Sequence, residues 1–240
     1  MILFLGDSFT WGQGLYIEKW ISEGASISQI NDATPVEYTA ENLDYLDDVV
    51  RKKLHYPNIV SQYLNRPYAT KWGNGGSNED IIHILEHSVN VSMQTSGIEL
   101  VVIQFTHVFR DELFEKLLED IPYDDFLTIY VKLLMNKIRN AIDKVTNPNN
   151  REIPFLVMSW IDDVGVVLKN HYADQFIEFK YNNEEYLSIE KLTLNKDLNL
   201  SKKFYVADAH LTKEGHEIIA KGVIDKIQSL EIKFTYKDFY

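Results

Sequence analysis

Continuous apolar runs alternate along this chain with longer stretches in which apolar residues recur every three or four positions. The continuous runs are short, as is typical of buried parallel strands, and they lie at residues 1–5, 100–105 and 154–160. Shorter strands are predicted around residues 68–71 and 203–206. The spacing of three and four predicts amphipathic helices at residues 56–64, 79–91, 123–145 and 212–227.

The repeated order of strand and helix predicts an α/β fold with three layers, in which one mainly parallel sheet lies between helices on both faces. The length of 240 residues fits a single domain, residues 1–240. Two insertions interrupt the regular order, at about residues 13–53 and 161–200. The first is irregular and acidic, so we expect a long loop or short helices at the surface. The placement of the second does not follow from its pattern.

Charge and composition narrow the possible partners. The formal net charge is -12, with 36 acidic residues against 24 basic ones, so the average field repels nucleic acid and anionic membranes, and neither is expected as a partner. The chain has no cysteine, which excludes disulfides, thiolate metal sites and cysteine nucleophiles. The apolar run at residues 1–5 is too short for a signal peptide or a membrane span. A cytoplasmic or virion-associated location is therefore expected, and the oligomeric state is left open.

Polar residues with catalytic potential follow the predicted strands, where a doubly wound sheet gathers its strand ends at one edge. Ser8 follows the first strand, and Asp208 and His210 precede the last helix. A serine hydroxyl becomes a nucleophile when an imidazole accepts its proton and a carboxylate holds that imidazole in the right tautomer. The sequence therefore predicts a catalytic triad of these three residues.

Two motifs resemble the blocks of the SGNH/GDSL hydrolase superfamily. One resembles the first block and reads GDSFTWG at residues 6–12. The other resembles the last block and reads DAHLTKEGH at residues 208–216. The resemblance implies the flavodoxin-like, doubly wound SGNH fold, with Ser8 as nucleophile, His210 as base and Asp208 as its acidic partner.

The resemblance also implies an oxyanion hole. The backbone N–H groups of Ser8 and Gly75 would donate to the oxyanion, with Gly76 as the alternative if the loop is shifted by one residue. The third block departs from the family pattern Gly-x-Asn-Asp, because this chain reads QFTH at residues 104–107. By position, Thr106 would replace the missing asparagine, and Asn74 or Asn78 is a further candidate.

The function implied by the resemblance is that of a serine-dependent carboxylic ester hydrolase. It would remove an O-acetyl or another short acyl group from a small-molecule or carbohydrate ester, and it needs no metal or organic cofactor. Two alternatives stay open: an O-acyltransferase that acts on a sugar, and a weakly active binding or structural module of a phage or cell-surface assembly. The altered third block and the two insertions motivate the second alternative.

Some side chains near the predicted site have two interpretations. Trp11, Trp72 and Phe105 could form a hydrophobic or sugar-stacking wall, although core packing is the default for aromatic residues. His107 and Arg110 could line the pocket or form a solvated pair.

Other chemically suggestive residues favour structural roles. His83 and His87 are spaced as zinc ligands on one helical face would be, but Ile84 stands where an HExxH motif needs its glutamate. The acidic stretch at residues 37–48 lacks the spacing and the glycine of an EF-hand. His216 is expected to be a structural or surface residue and not a catalytic one.

Overall fold

A four-stranded parallel sheet with the strand order β2-β1-β3-β4 forms the centre of the molecule. The structure is a computed structural model that describes residues 1–12, 14–29, 52–72, 76–92, 97–111, 121–143 and 153–234. The strands are β1 (Ile2–Gly6), β2 (Tyr68–Trp72), β3 (Leu100–Phe105) and β4 (Phe155–Ser159). This order is that of flavodoxin-like, doubly wound sheets, and it confirms the predicted fold class.

Helices cover both faces of this sheet. They are α1 (Ser8–Trp11), α2 (Leu15–Ser22), α3 (Lys52–Leu54), α4 (Tyr56–Leu64), α5 (Asn78–Ser92), α6 (Tyr123–Asp143), α7 (Asp162–His171), α8 (Ile189–Thr193), α9 (Leu200–Phe204) and α10 (Lys213–Ser229). In the described part of the chain, no helix is both long enough and apolar enough to cross a membrane.

The alternation of side chains along β1 shows how the two layers form. Leu3 and Leu5 join a core cluster with residues of α5, α6 and α7, whereas Ile2 and Phe4 join a second cluster with residues of α4, α8 and α10. A strand that is buried on both faces needs apolar residues at every position, which explains the continuous run at the start of the sequence.

The predicted strand at residues 203–206 is wrong. Its first residues belong to α9, because the Asn199 side chain accepts a hydrogen bond from Lys202 N at 3.2 Å and caps that helix. Tyr205, with φ of 58°, then ends the helix in the left-handed conformation.

The first insertion is only partly described, since residues 30–51 lie outside the described ranges. Its beginning is more buried than we expected. Leu15, Tyr16 and Ile17 of α2 pack with Leu200 and Val206 in a third, smaller core cluster. This part of the insertion is therefore a helix that packs against α9.

The second insertion, at residues 161–200, contributes to the main core. It contains α7, α8 and a two-stranded antiparallel hairpin of β5 (Phe179–Tyr181) and β6 (Glu184–Tyr186). Phe176 forms an isolated parallel bridge with Val157 of β4 and is fully buried. The segment therefore extends the sheet edge at β4 and packs on it.

Candidate active site

A tight turn at the end of β1 presents Ser8. Asp7 caps α1 by accepting a hydrogen bond from Phe9 N at 3.0 Å, so the helix begins at Ser8. Gly6 permits this turn, because a Cβ atom at that position would lie 2.1 Å from Thr10 Oγ1. Gly12, with φ of 86°, ends the helix by donating from its N–H to the carbonyl of Ser8 at 3.0 Å.

A second loop, between α9 and α10, brings His210 to the same place. Leu200 N donates to the carbonyl of His210 at 2.9 Å, and Asn199 Nδ2 donates to the carbonyl of Ala209 at 3.1 Å. On the other side of the loop, Thr212 caps α10 by accepting from Gly215 N at 3.2 Å. Hydrogen bonds on both sides therefore fix the backbone that carries the imidazole.

Ser8, His210 and Asp208 form one continuous series of hydrogen bonds. His210 Nε2 lies 2.8 Å from Ser8 Oγ, and His210 Nδ1 lies 2.6 Å from Asp208 Oδ1. The same carboxylate oxygen accepts from the backbone N of His210 at 2.8 Å. This arrangement can accept a proton from the serine and stabilise the resulting imidazolium.

Aromatic rings line one side of this series. The ring of Phe9 lies 4.5 Å from the His210 ring and 4.1 Å from the Trp160 ring, and the His107 ring lies 5.7 Å from Trp160. Burial, and then the nearby Arg110, hold the pKa of His107 below its usual value, so this imidazole is neutral near pH 7.

The three aromatic residues that we considered for a hydrophobic or sugar-stacking wall differ in where the structure places them. Phe105 lies in the main core, so its default interpretation is confirmed. The side chains of Trp11 and Trp72 lie outside the described residues. The ring that does adjoin His210 is that of Phe9, which in turn contacts Trp160, and the sequence did not point to either residue.

On the other side of Ser8, the polar groups of Thr106 already have partners. Its hydroxyl donates to Asp7 Oδ2 at 3.1 Å and accepts from Arg110 Nη1 at 2.8 Å. Its backbone N–H donates to Asn78 Oδ1 at 2.8 Å. The hydroxyl hydrogen would have to leave Asp7 before it could serve an oxyanion, so the predicted role of Thr106 stays a prediction.

Asn78 has a similar position at the start of α5. Its Nδ2 donates to the Tyr130 hydroxyl at 2.8 Å and to Asp111 Oδ2 at 3.2 Å, and its contact with the carbonyl of Thr106 measures 3.4 Å. The Tyr130 hydroxyl donates to the same carboxylate. Burial raises the pKa of Asp111. These contacts join the end of β3 to α5 and α6, and they occupy the side-chain donor that we considered for the oxyanion hole.

Gly75 and Gly76, the two glycines predicted for the oxyanion hole, cannot both be placed. Gly75, like Asn74, lies outside the described residues, and Gly76 is half-buried just before α5. Their oxyanion roles stay predictions. The N–H of Ser8 belongs to the first turn of α1, where backbone donors lack helical partners.

Asp7 is a buried hub that the sequence analysis missed. Besides Phe9 N, its carboxylate accepts from Gln104 Nε2 at 2.6 Å and from the Thr106 hydroxyl, and Arg110 Nη1 lies 3.8 Å away. We call Asp7, Gln104, Thr106 and Arg110 the Asp7 network. A glutamine inside an otherwise apolar strand was the available signal, because a buried amide needs polar partners.

The histidines outside the triad have structural environments. His83 is exposed, with its Nδ1 atom 3.7 Å from Glu86 Oε2, and among the described residues no group of three or more acidic and histidine side chains could hold a metal ion. The acidic stretch at residues 37–48 lies outside the described ranges. His216 is fully buried and accepts from Tyr56 N at 3.3 Å. Burial, reinforced by His210, lowers the pKa of His216 to about 3.

Comparison with known proteins gave structural matches only. No protein-family model and no curated protein matches the chain. The inhibitor-bound aryl esterase of M. smegmatis matches with a TM-score of 0.52 and 12% identity, covering 95% of this chain and 98% of that chain. A carbohydrate esterase family 2 enzyme of Corynascus thermopiles matches with a TM-score of 0.54 and 14% identity over 96% and 66% of the chains. The chain has the SGNH hydrolase fold.

A third match is the family two carbohydrate esterase of Clostridium thermocellum in complex with cellohexaose. Its TM-score is 0.50 at 15% identity, covering 95% of this chain and 63% of that chain. At such identities the likeness concerns the SGNH fold alone, so the function has to be argued from side chains.

Proposed function

We propose that this chain is a serine-dependent carboxylic ester hydrolase, with Ser8 as nucleophile, His210 as general base and Asp208 as the orienting carboxylate. The observation that carries the proposal is the unbroken series of hydrogen bonds from Asp208 through His210 to the Ser8 hydroxyl. Solved proteins with the same fold include an aryl esterase and carbohydrate esterases, which supports an ester bond as the target.

The proposed reaction proceeds through an acyl-enzyme. Ser8 Oγ attacks the ester carbonyl as its proton passes to His210 Nε2, and the imidazolium that forms is stabilised through Nδ1 by Asp208. His210 then gives the proton to the leaving alcohol. Water attacks the acyl-enzyme with His210 again as base, which restores the serine. The backbone N–H groups of Ser8 and Gly75 are the proposed oxyanion donors.

We further propose a short acyl group such as acetyl, carried by a carbohydrate or an aryl alcohol. The ring of Phe9 beside His210, with the ring of Trp160 packed against Phe9, supports this assignment, since aromatic faces pack against sugar and aryl rings. The names of the solved carbohydrate and aryl esterases point to the same alcohols.

The direct test compares hydrolysis of p-nitrophenyl acetate and butyrate by the wild type and by Ser8→Ala. We expect a loss of at least about a thousandfold in kcat/KM for Ser8→Ala, because the nucleophile is removed. Ser229→Ala, an exposed serine near the end of α10, is the matched control and should keep full activity. Equal rates in the wild type and Ser8→Ala would refute the proposal.

A second measurement separates hydrolysis from transfer. Incubation with an O-acetylated oligosaccharide should release free acetate whether or not an acceptor sugar is added. Acetylated acceptor in place of acetate would show that the chain is an acyltransferase, which shares the acyl-enzyme but not the final step.

A further inference from the structure

The oxyanion hole of the proposed site lacks an obvious side-chain hydrogen-bond donor. An SGNH site is expected to have a side-chain donor in the third block, and Thr106 occupies that position here. Its hydroxyl hydrogen points to Asp7, and its backbone N–H is taken by Asn78. In this state Thr106 has no hydrogen left for a substrate oxygen.

Arg110 contacts the Thr106 hydroxyl from the other side. It follows Thr106 by four residues in a 3₁₀ turn, Val108–Arg110, and its Nη1 donates to Thr106 Oγ1 at 2.8 Å. Its side chain is 37% exposed. Within the described residues, Thr106 Oγ1 is the one hydrogen-bond acceptor found for its guanidinium, which carries five N–H donors.

Two titratable side chains lie near Arg110. His107 is neutral because burial and Arg110 itself lower its pKa. Asp7 lies 3.8 Å from Arg110 Nη1, and its carboxylate already accepts hydrogen bonds from Phe9, Gln104 and Thr106. The contacts with Thr106 and Asp7 thus hold Nη1 of the guanidinium in place, while the side chain stays partly exposed at the end of β3.

We propose that Arg110 replaces the missing asparagine as the third oxyanion donor of the site. This inference rests on the proposed function. When Ser8 Oγ adds to the ester carbonyl, the carbonyl oxygen gains a negative charge, and a guanidinium N–H donates to it without giving up its proton. A charge-assisted donor of this kind is stronger than a neutral amide. Thr106 is then a positioning residue that orients Arg110.

The test uses a neutral substrate, p-nitrophenyl acetate, so that no carboxylate on the substrate can attract the guanidinium. We expect Arg110→Gln to lower kcat by about tenfold to a thousandfold with little change in KM, because an oxyanion donor acts mainly in the transition state. The kcat of Arg110→Lys should lie between those of the wild type and Arg110→Gln, since lysine keeps the positive charge but lacks the forked set of N–H donors. Arg139→Ala, a distant arginine beside Tyr172, is the matched control.

A rescue experiment distinguishes this role from a purely structural one. Thr106→Asn in the Arg110→Gln background restores the side-chain amide that the SGNH family uses, and it should recover at least about tenfold in kcat if the missing donor is the defect. The urea midpoints of all variants are measured beside the kinetics. A loss of kcat that follows only a loss of stability, without rescue, would overturn the proposal.

Two outcomes separate the failure of this inference from that of the proposed function. If turnover depends on Ser8 but Arg110→Gln keeps kcat within about threefold of the wild type, the esterase stands and the role of Arg110 is refuted. If no turnover depends on Ser8, the proposed function fails and this inference fails with it.

Discussion

The two sides of Ser8 differ in how their hydrogen bonds are used. On the triad side, His210 and Asp208 form a series that ends on the nucleophile itself. On the opposite side, Asp7, Gln104, Thr106 and Arg110 form hydrogen bonds and an ion pair with one another, and Arg110 is the partly exposed member of this network. One side is therefore arranged to move a proton, and the other to hold a backbone and one guanidinium in place.

The difference shows which parts of a site a chain can change. The triad side needs an acid two residues before the histidine, and this chain has that local spacing. The oxyanion side needs only donors at a point in space, so a different set of residues can supply them. Gln104 and Thr106 stand where the SGNH pattern has glycine and asparagine, and their contacts with Asp7 satisfy these buried polar groups.

The largest expected effect is on the triad side. Asp208→Asn should lower kcat by about a thousandfold to ten-thousandfold, because an amide cannot stabilise the imidazolium and favours the wrong tautomer. The midpoint of urea unfolding should change little, since the amide oxygen can still accept from His210 N. Steady-state kinetics on p-nitrophenyl acetate checks the first expectation. A variant that retains full kcat would remove Asp208 from the mechanism.

A smaller effect, on stability, is expected beside the Asp7 network. Asn78→Ala would remove the donor to Tyr130 and Asp111 and the acceptor of Thr106 N, all of them buried. We expect the free energy of unfolding to fall by about 2–4 kcal/mol, as is usual when buried polar groups lose their partners. Urea unfolding measures it.

Asn58→Ala is the control for that substitution, because this half-buried asparagine makes a single side-chain bond to the carbonyl of Lys53. It should cost less than about 1 kcal/mol. If the two asparagine variants are equally stable, the contacts around Asn78 do not support the edge of the site.

The last effect is negligible at neutral pH and concerns the pH dependence of stability on the triad side. His216 has a pKa of about 3 in the folded protein, compared with 6.5 for an unperturbed histidine. Below pH 6.5 the unfolded chain binds this proton and the folded one does not, so His216 lowers the free energy of unfolding as the pH falls. Its contribution to the slope is up to ~1.4 kcal/mol per pH unit, and it ends below about pH 3.

His216→Asn should therefore flatten the dependence of unfolding free energy on pH between about pH 6 and pH 4. Urea unfolding at several pH values measures the slope, with the substitution of an exposed histidine, His83→Asn, as the control. Parallel curves for the wild type and His216→Asn would show that the buried imidazole does not resist protonation.

Much of the fold could be predicted because its signals are local. The apolar runs of β1 and β3 and the helical spacing of α4, α5, α6 and α10 each lie within one stretch of sequence. Residues 203–206 misled us because Phe204 and Val206 alternate as in a strand, while the capping residue Asn199 lies before the predicted segment.

The site could be predicted only in part for a related reason. Ser8, Asp208 and His210 stand in recognisable motifs, whereas the contact of Thr106 with Asp7 joins residues 99 positions apart. That contact depends on the parallel pairing of β1 with β3, in which Leu5 lies beside Ile103. Such a pairing register is not visible in either motif alone. The placement of Arg110 beside Asp7 depends on the same pairing, because Arg110 binds Thr106.

The most direct test of the central claim is mapping of the residue that an alkyl fluorophosphonate labels. Ser8 Oγ should displace fluoride and form a stable adduct, because His210 accepts its proton as in acylation. Intact-mass measurement followed by peptide mapping should place one adduct on Ser8 in the wild type and none on Ser8→Ala. An unlabelled wild-type protein, or an adduct on a different residue, would contradict the assignment of Ser8 as the nucleophile.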